Sequence, residues 1–283
     1  MSLLEFTTSI EMGLIYGIVA IGIYLAFRII DFPDLTCDGS FVLGAATSAI
    51  LIREGYNPYF SLFISAGAGM LAGLTTGILH IKFKISNLLS GIIVAFMLYS
   101  INLRVMNSVP NLSLINSSTI FSSENSIVIL LIIATIIWII SSYLLSTDLG
   151  LALRVVGQNK RLALNYGINV SKMTIICLIL SNALIAFSGG IFAQLQGFAD
   201  ITSGAGTVLM GFAAVIIGEK IFPFYNIFAG ILACILGSIM YRVLLALSLH
   251  SDWIGLETQD LNLITGLMII SVMTMPKWRQ QIC

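Results

Sequence analysis

Apolar runs long enough to cross a lipid bilayer recur along this chain from residue 10 to residue 275, with no long polar block between them. A helix needs about 20 apolar residues to span the hydrocarbon core, fewer if neighbouring protein shelters it. Spans are expected at 10–30, 60–79, 88–106, 127–145, 174–196, 224–247 and 261–275. Two shorter apolar runs, 40–52 and 205–218, follow Gly/Asp-containing turns and read as short crossings or re-entrant segments, which brings the expected total to about nine. Residues 1–283 therefore read as one all-α, polytopic transmembrane bundle. Composition agrees, since 58% of the residues are hydrophobic and only 9% are charged, against roughly a quarter charged in soluble domains.

Charge placement orients the spans, because Lys and Arg near span ends stay cytoplasmic. Lys82 and Lys84, then Arg154, Lys160, Arg161 and Lys172, then Lys220, and finally Lys277 and Arg279 fall on one side if nine spans alternate. The other side receives the N-terminus, the Ser/Asn-rich loop 107–126, the turn 196–204 and the acidic loop 250–260. The N-terminus is expected outside and the C-terminus in the cytoplasm. With a net charge of zero there is no basic stripe for nucleic acid. The four cysteines are scattered without metal-ligand or disulfide-framework spacing.

The chain also resembles itself. Phe32-Pro33-Asp34-Leu35-Thr36 precedes the first short run, and Phe198-Ala199-Asp200-Ile201-Thr202 precedes the second. In the nine-span scheme the two turns lie at opposite membrane faces, as an inverted-topology repeat requires. Asp34 and Asp200 are each placed to cap the short helix that follows; the alternative is a place on a solute pathway, for which Asp38 is also a candidate. Arg28 and Asp31, three apart, can pair on a helix and snorkel, or meet solute at a gate. Arg242 can snorkel, or offer a solute carboxylate a bidentate donor. Gly67, Gly69, Gly73 and Gly77, and later Ser188-Gly189-Gly190, suit close helix packing in lipid.

The loop 146–173 is the longest on the basic side. Asp148 is placed to cap a helical turn, Gly157 to interrupt it, Asn159 to cap a second short helix and Gly167 to end that helix. Such a segment is a docking element, or an interfacial helix whose basic residues only meet anionic lipid. No phosphate-binding loop and no nucleophile or metal constellation occurs, so an enzyme is not expected and transport energy has to come from a partner.

The runs LGLALRVVGQNKRLALNYGIN, LSNALIAFSGGIFAQLQGFADI, GTVLMGFAAVIIGEKIF and YLAFRIIDFPDLTCDGSFVLGAA cover well over half the chain. Together they resemble the permeases of ATP-binding-cassette (ABC) importers that include the branched-chain amino acid permeases, closest to the tryptophan/tyrosine-type, uncharacterised subgroup. That resemblance implies a coupling helix within Arg154, Gly157, Asn159, Lys160, Arg161, Ala163 and Gly167 that docks on a cytoplasmic ATPase subunit. It further implies an extracytoplasmic solute-binding protein, a second permease copy as a homodimer, no cofactor, and a small polar solute such as an amino acid. A stand-alone secondary transporter or channel is the alternative, since it too uses repeats and broken helices.

Overall fold

The computed structural model describes residues 3–115, 117–122, 125–222, 226–249 and 261–274. Helix α1 (Leu3–Ile23) continues as a π-helical turn (Tyr24–Ile29) and is followed by α2 (Thr36–Arg53), α3 (Pro58–Ile81) and α4 (Asn87–Val105). Next come the short strand β1 (Asn111–Ser113), α5 (Ser126–Ser146), and the loop helices α6 (Asp148–Gln158) and α7 (Lys160–Asn165). The chain then forms α8 (Val170–Gln196), β2 (Phe198–Asp200), α9 (Thr207–Ile221), α10 (Ile227–Leu249) and α11 (Leu261–Thr274). Six helices among the described residues are long and apolar enough to cross a membrane: Glu5–Ile29, Pro58–Ile81, Asn87–Val105, Ser126–Ser146, Val170–Gln196 and Ile227–Ser248. The expected runs 40–52 and 205–218 are the helices α2 and α9. The loop 250–260, the tail with Lys277 and Arg279, and Cys283 lie outside the described residues.

Burial separates inner from outer helices. The outward faces of α3, α4 and α5 carry Phe63, Phe96 and Ile140, all largely exposed in the isolated chain, as lipid-facing surfaces should be. In contrast, α2 is buried along most of its length, with Ser40, Phe41, Ala45, Ser48 and Ala49 inaccessible. Small residues make this possible. A Cβ on Gly44 would sit 1.8 Å from the Ala186 carbonyl oxygen, and one on Gly189 2.0 Å from that of Phe41, so α2 and α8 are in backbone contact. Gly69 and Gly73 do the same between α3 and α8, whereas Gly67 faces open space and has no such role.

Polar side chains tie the apolar helices together. Gln194 of α8 donates to the Pro58 carbonyl and to the hydroxyls of Ser48 and Ser61, while Ser188 donates to Ile15 and Ser238 to Gly13. These bonds satisfy groups for which lipid offers no partner.

Helix contacts pair off under the exchange of α1 with α8, α2 with α9, α3 with α10 and α4 with α11. Contacts α3–α8, α2–α8, α2–α3, α2–α4 and α3–α4 each have a counterpart in α10–α1, α9–α1, α9–α10, α9–α11 and α10–α11. The strands β1 and β2 pair antiparallel, Asn111 opposite Asp200, which holds the loop after α4 and the turn after α8 at one end of the bundle. The loop helices α6 and α7, which precede α8, lie at the other.

Candidate functional site

The two short helices start in the interior. Asp34 and Ser40, flanking the first turn of α2, bond Asn182 near the midpoint of α8. A Cβ on Gly204 would approach the Asp38 carbonyl oxygen to 2.2 Å, so the segment before α9 descends to the same level. From there α2 runs toward the β-paired end, where Ser48 meets Gln194. Helix α9 runs the opposite way to Glu219, which forms an ion pair with Arg28 at 2.7 Å. Two helix N-termini, each a partial positive charge, thus meet inside the bundle.

Asp38 links them. Its Oδ1 accepts the Val208 amide at 2.8 Å and its Oδ2 the Gly206 amide at 3.4 Å, so a carboxylate of α2 caps α9. The expected cap, Asp200, does not reach: its Oδ1 accepts the Thr202 amide at 2.7 Å and its Oδ2 the Asn111 side chain at 3.0 Å, and it stands well before Thr207, where α9 begins. The reason is the descent from 201 to 206, which separates the turn from the helix. Asp34 behaves closer to expectation, since its Oδ1 accepts the amide of Thr36, the first residue of α2. Its Oδ2 accepts from Asn182 at 2.7 Å, and Asn182 in turn accepts from Ser40 at 2.6 Å. At 3% exposure Asp34 belongs to this interior network.

Beside the junction lies Arg242 of α10. Its guanidinium stands 4.1 Å above the ring centre of Tyr16, which itself stacks on Phe41. One terminal nitrogen contacts the Met210 sulfur at 3.5 Å. Among the described residues the buried Nε of Arg242 has no hydrogen-bond partner, and Arg28–Glu219 is the ion pair found there. Outside the membrane helices, at the β-paired end, the hydroxyl and amide of Thr202 and the side chain of Asn111 hold the Asp200 carboxyl below the usual carboxylate range.

At the opposite end the loop helices pack on the end of α1. Gly157 is the penultimate residue of α6, which ends at Gln158, and its missing side chain accommodates the Ile29 carbonyl; a Cβ there would be 1.7 Å from that oxygen. Helix α6 starts after Thr147, with Asp148 in its first turn in place of the expected cap. As expected, Asn159 caps α7 by accepting the amides of Arg161 and Leu162, and Gly167 follows it at φ +74°. Ala163 is buried under α7, while Lys160, Arg161, Leu162, Leu164 and Tyr166 are exposed.

The π-helical turn sits between this loop and α9. Its loosened carbonyls are met from α8, where Cys177 bonds Leu25 and Ser181 the neighbouring Gly22. Arg28 does not pair with Asp31, as three-residue spacing suggested. The helix ends at Ile29, Asp31 takes a left-handed backbone (φ 54°), and Arg28 turns to Glu219 instead. Phe27 packs edge-on against Phe212 of α9, centroids 4.5 Å apart. A cleft of about 540 Å³ lies between Tyr24, Arg28, Asp31, Arg154 and Gln158. The Arg154 Nε is buried without a hydrogen-bond partner among the described residues. Sequence reasoning missed Asn182, Tyr16, Glu219 and Met210 as partners; only Asn182, an amide inside an apolar span, carried a signal.

Residues 6–273 match the family model described as branched-chain amino acid transport system, permease component. A tyrosine transport system permease protein of Clostridioides difficile is 41% identical over 92% of this chain and 87% of its own length. A probable branched-chain amino acid transport permease of Methanocaldococcus jannaschii is 28% identical over 74% of this chain and 73% of its own. A fructose import permease of Rhizobium meliloti is 24% identical over 88% of this chain and 71% of its own. Among solved structures, a chain of PsaBC from Streptococcus pneumoniae in complex with Fab has the same fold, with a TM-score of 0.57 at 12% identity, covering 96% of this chain and 92% of that one.

Proposed function

Since this chain belongs to the branched-chain amino acid transport system permease family, we propose that it forms the translocation pathway of an ABC importer, as half of a pair of permeases driven by cytoplasmic ATPase subunits. It is a multi-pass membrane protein and a transport subunit, not an enzyme. The observation that carries the importer reading is the family match over residues 6–273. It is joined by a structured basic loop whose Leu162, Leu164 and Tyr166 stay exposed.

In this reading nine segments cross or enter the membrane as two inverted halves, α1–α4 and α8–α11, with the N-terminus outside and the C-terminus in the cytoplasm. The paired helix contacts support the halves, and the β1–β2 pair supports placing the outer loops together. An extracytoplasmic binding protein delivers solute to the outer loops 107–126 and 248–260, of which 250–260 lie outside the described residues. The second permease copy faces a strip that includes exposed Leu209, Phe27 and Arg28, since charged and polar groups at membrane depth face protein or water in preference to lipid.

The route from ATPase to pathway runs through touching groups. Residues Arg154 to Gly167 dock on the ATPase, Gly157 presses on the end of α1, and Arg28–Glu219 with Phe27–Phe212 passes the displacement to α9. That helix begins at the central junction held by Asp38.

The test is reconstitution with the ATPase and binding protein in vesicles. Uptake that requires ATP and all components is expected, and replacing Arg154 and Gly157 together should abolish stimulated hydrolysis. Solute flux from this chain alone without nucleotide would establish a stand-alone transporter instead. Full coupling in the double variant would remove the docking assignment.

A further inference from the structure

The π-helical end of α1 carries a residue that its own backbone disfavours. The Phe32 amide donates back to the Ala26 carbonyl at 2.9 Å to close the helix, and Asp31, inside that closure, takes φ 54°. A left-handed residue at a helix end is usually glycine, because a Cβ is strained there. Charge adds to the misfit. A helix C-terminus is a partial negative charge, which favours a cation and disfavours an anion. Asp31 is exposed, and the ion pair found among the described residues does not include it. Backbone strain of this kind persists where the mechanism uses it.

The neighbouring cleft of about 540 Å³ supplies a use. Tyr24, Arg28 and Asp31 line one wall from the end of α1, and Arg154, Gly157 and Gln158 line the other from α6. The three α6 residues follow i, i+3, i+4 spacing and so share one helix face. Arg28 is engaged by Glu219 of α9. Arg154 is half-buried, aims its guanidinium across no other acid named at this cleft than Asp31, and is the cation left to meet it. The two walls already touch where Gly157 admits the Ile29 carbonyl, close to both groups. A backbone contact placed there is a pivot: tilting α6 about it changes the separation of Asp31 and Arg154 while α6 stays seated on α1. The π-helical turn gives the other wall compliance, since its wider hydrogen-bonded rings mark sites where a helix changes register.

We propose that Asp31 and Arg154 form a latch: the cleft closes on an Asp31–Arg154 ion pair in one half of the transport cycle and opens, as here, in the other. This rests on the importer reading above and names the contact that holds the loop helices between strokes. The strain at Asp31 destabilises the open state, and the ion pair offsets it in the closed one, so the two stay close in energy.

The first measurement uses the full-length permease alone in lipid nanodiscs. Asp31→Asn should raise the thermal unfolding midpoint, because asparagine tolerates a left-handed backbone and removes the anion from the helix end. A lowered midpoint would mean that Asp31 has a standing partner in the resting protein, and would overturn the latch. The second uses the permease reconstituted with its ATPase and binding protein, and reads stimulated ATP hydrolysis. Asp31→Arg and Arg154→Asp should each lower the rate about tenfold, and the combined swap should return it to within about threefold of wild type. An Arg154 that acts on the ATPase alone would leave the swap as impaired as Arg154→Asp; that result, or full activity in both single variants, would overturn the latch. If the swap does not fold, Asp31→Cys/Arg154→Cys in a Cys283→Ser background serves, since Cys37, Cys177 and Cys234 are buried. Its disulfide yield should differ at least about fivefold between the nucleotide-free and the ATP–vanadate-trapped complex, and equal yields would overturn the latch. With wild-type hydrolysis intact these outcomes count against the latch alone, whereas a wild-type permease that no ATPase binds counts against the importer reading.

Discussion

The turns at Asp34 and Asp200 share the pattern F-x-D-[LI]-T and one local bond, a carboxylate accepting the amide two residues on, at 2.9 Å and 2.7 Å. That bond is what an aspartate-led turn makes by itself. Everything else differs. Asp34 is enclosed between α8 and α4, with Asn182 on its second oxygen and Gly91 against it. Asp200 sits on the two-stranded ribbon, open to water, with Asn111 as its neighbour. The comparison teaches that a repeated motif can encode a turn twice while its surroundings decide which copy is structural ballast and which is a junction.

The largest expected difference is in stability. Asp34→Ala should cost about 3 kcal/mol, since it strands a buried side-chain amide and a backbone N–H, whereas Asp200→Ala should cost no more than about 1 kcal/mol because solvent can replace its partners. Unfolding of both variants in detergent measures this, and a reversed order would break the comparison. Next comes Gly91→Ala, whose Cβ would lie 2.8 Å from the Leu35 amide nitrogen and 3.2 Å from the Asp34 carboxylate; overpacking of this kind costs about 1–3 kcal/mol, read in the same assay.

A smaller effect separates the turns by pH. The Asp200 carboxyl is held below its ordinary value, so its stabilising contribution is present above the unfolded carboxylate pKa of about 3.9 and is lost as pH falls through the lower folded value. Asp200→Asn should therefore flatten the acid limb of the stability profile below about pH 4. An unchanged acid limb would mean that the Thr202 bonds do not hold in solution. The smallest expected effect is that of Asn111→Ala, about 0.5 kcal/mol for one exposed cross-strand contact, and a cost comparable to that of Asp34→Ala would show the ribbon to be as enclosed as the interior turn.

Much of the fold was legible because lipid imposes a simple rule on the chain: backbone polar groups must be satisfied within a segment, so apolar runs become helices. The expected spans 60–79, 88–106 and 127–145 fall within a few residues of α3, α4 and α5. Asn159 and Gly167 were legible too, since caps act on amides within a few residues. The role of Asp38 was not. Its acceptors' partners lie 168 and 170 residues away, at Gly206 and Val208, and no local pattern encodes that meeting. Gly157 was half legible for the same reason: the helix break falls beside it, but its contact with the Ile29 carbonyl joins segments far apart in sequence.

By itself, the sequence determined that the solvent is lipid, where the helices run, which loop is basic and structured, and that the F-x-D-[LI]-T turns occur twice. Those properties depend on side-chain polarity and on contacts within about one helical turn. Only the tertiary structure decided that α2 and α9 begin face to face inside the bundle, that Arg28 belongs to Glu219 and not to Asp31, and that Arg242 stands on the ring of Tyr16. These depend on which backbones approach closely enough to touch, and in this chain glycines far apart in sequence set that approach.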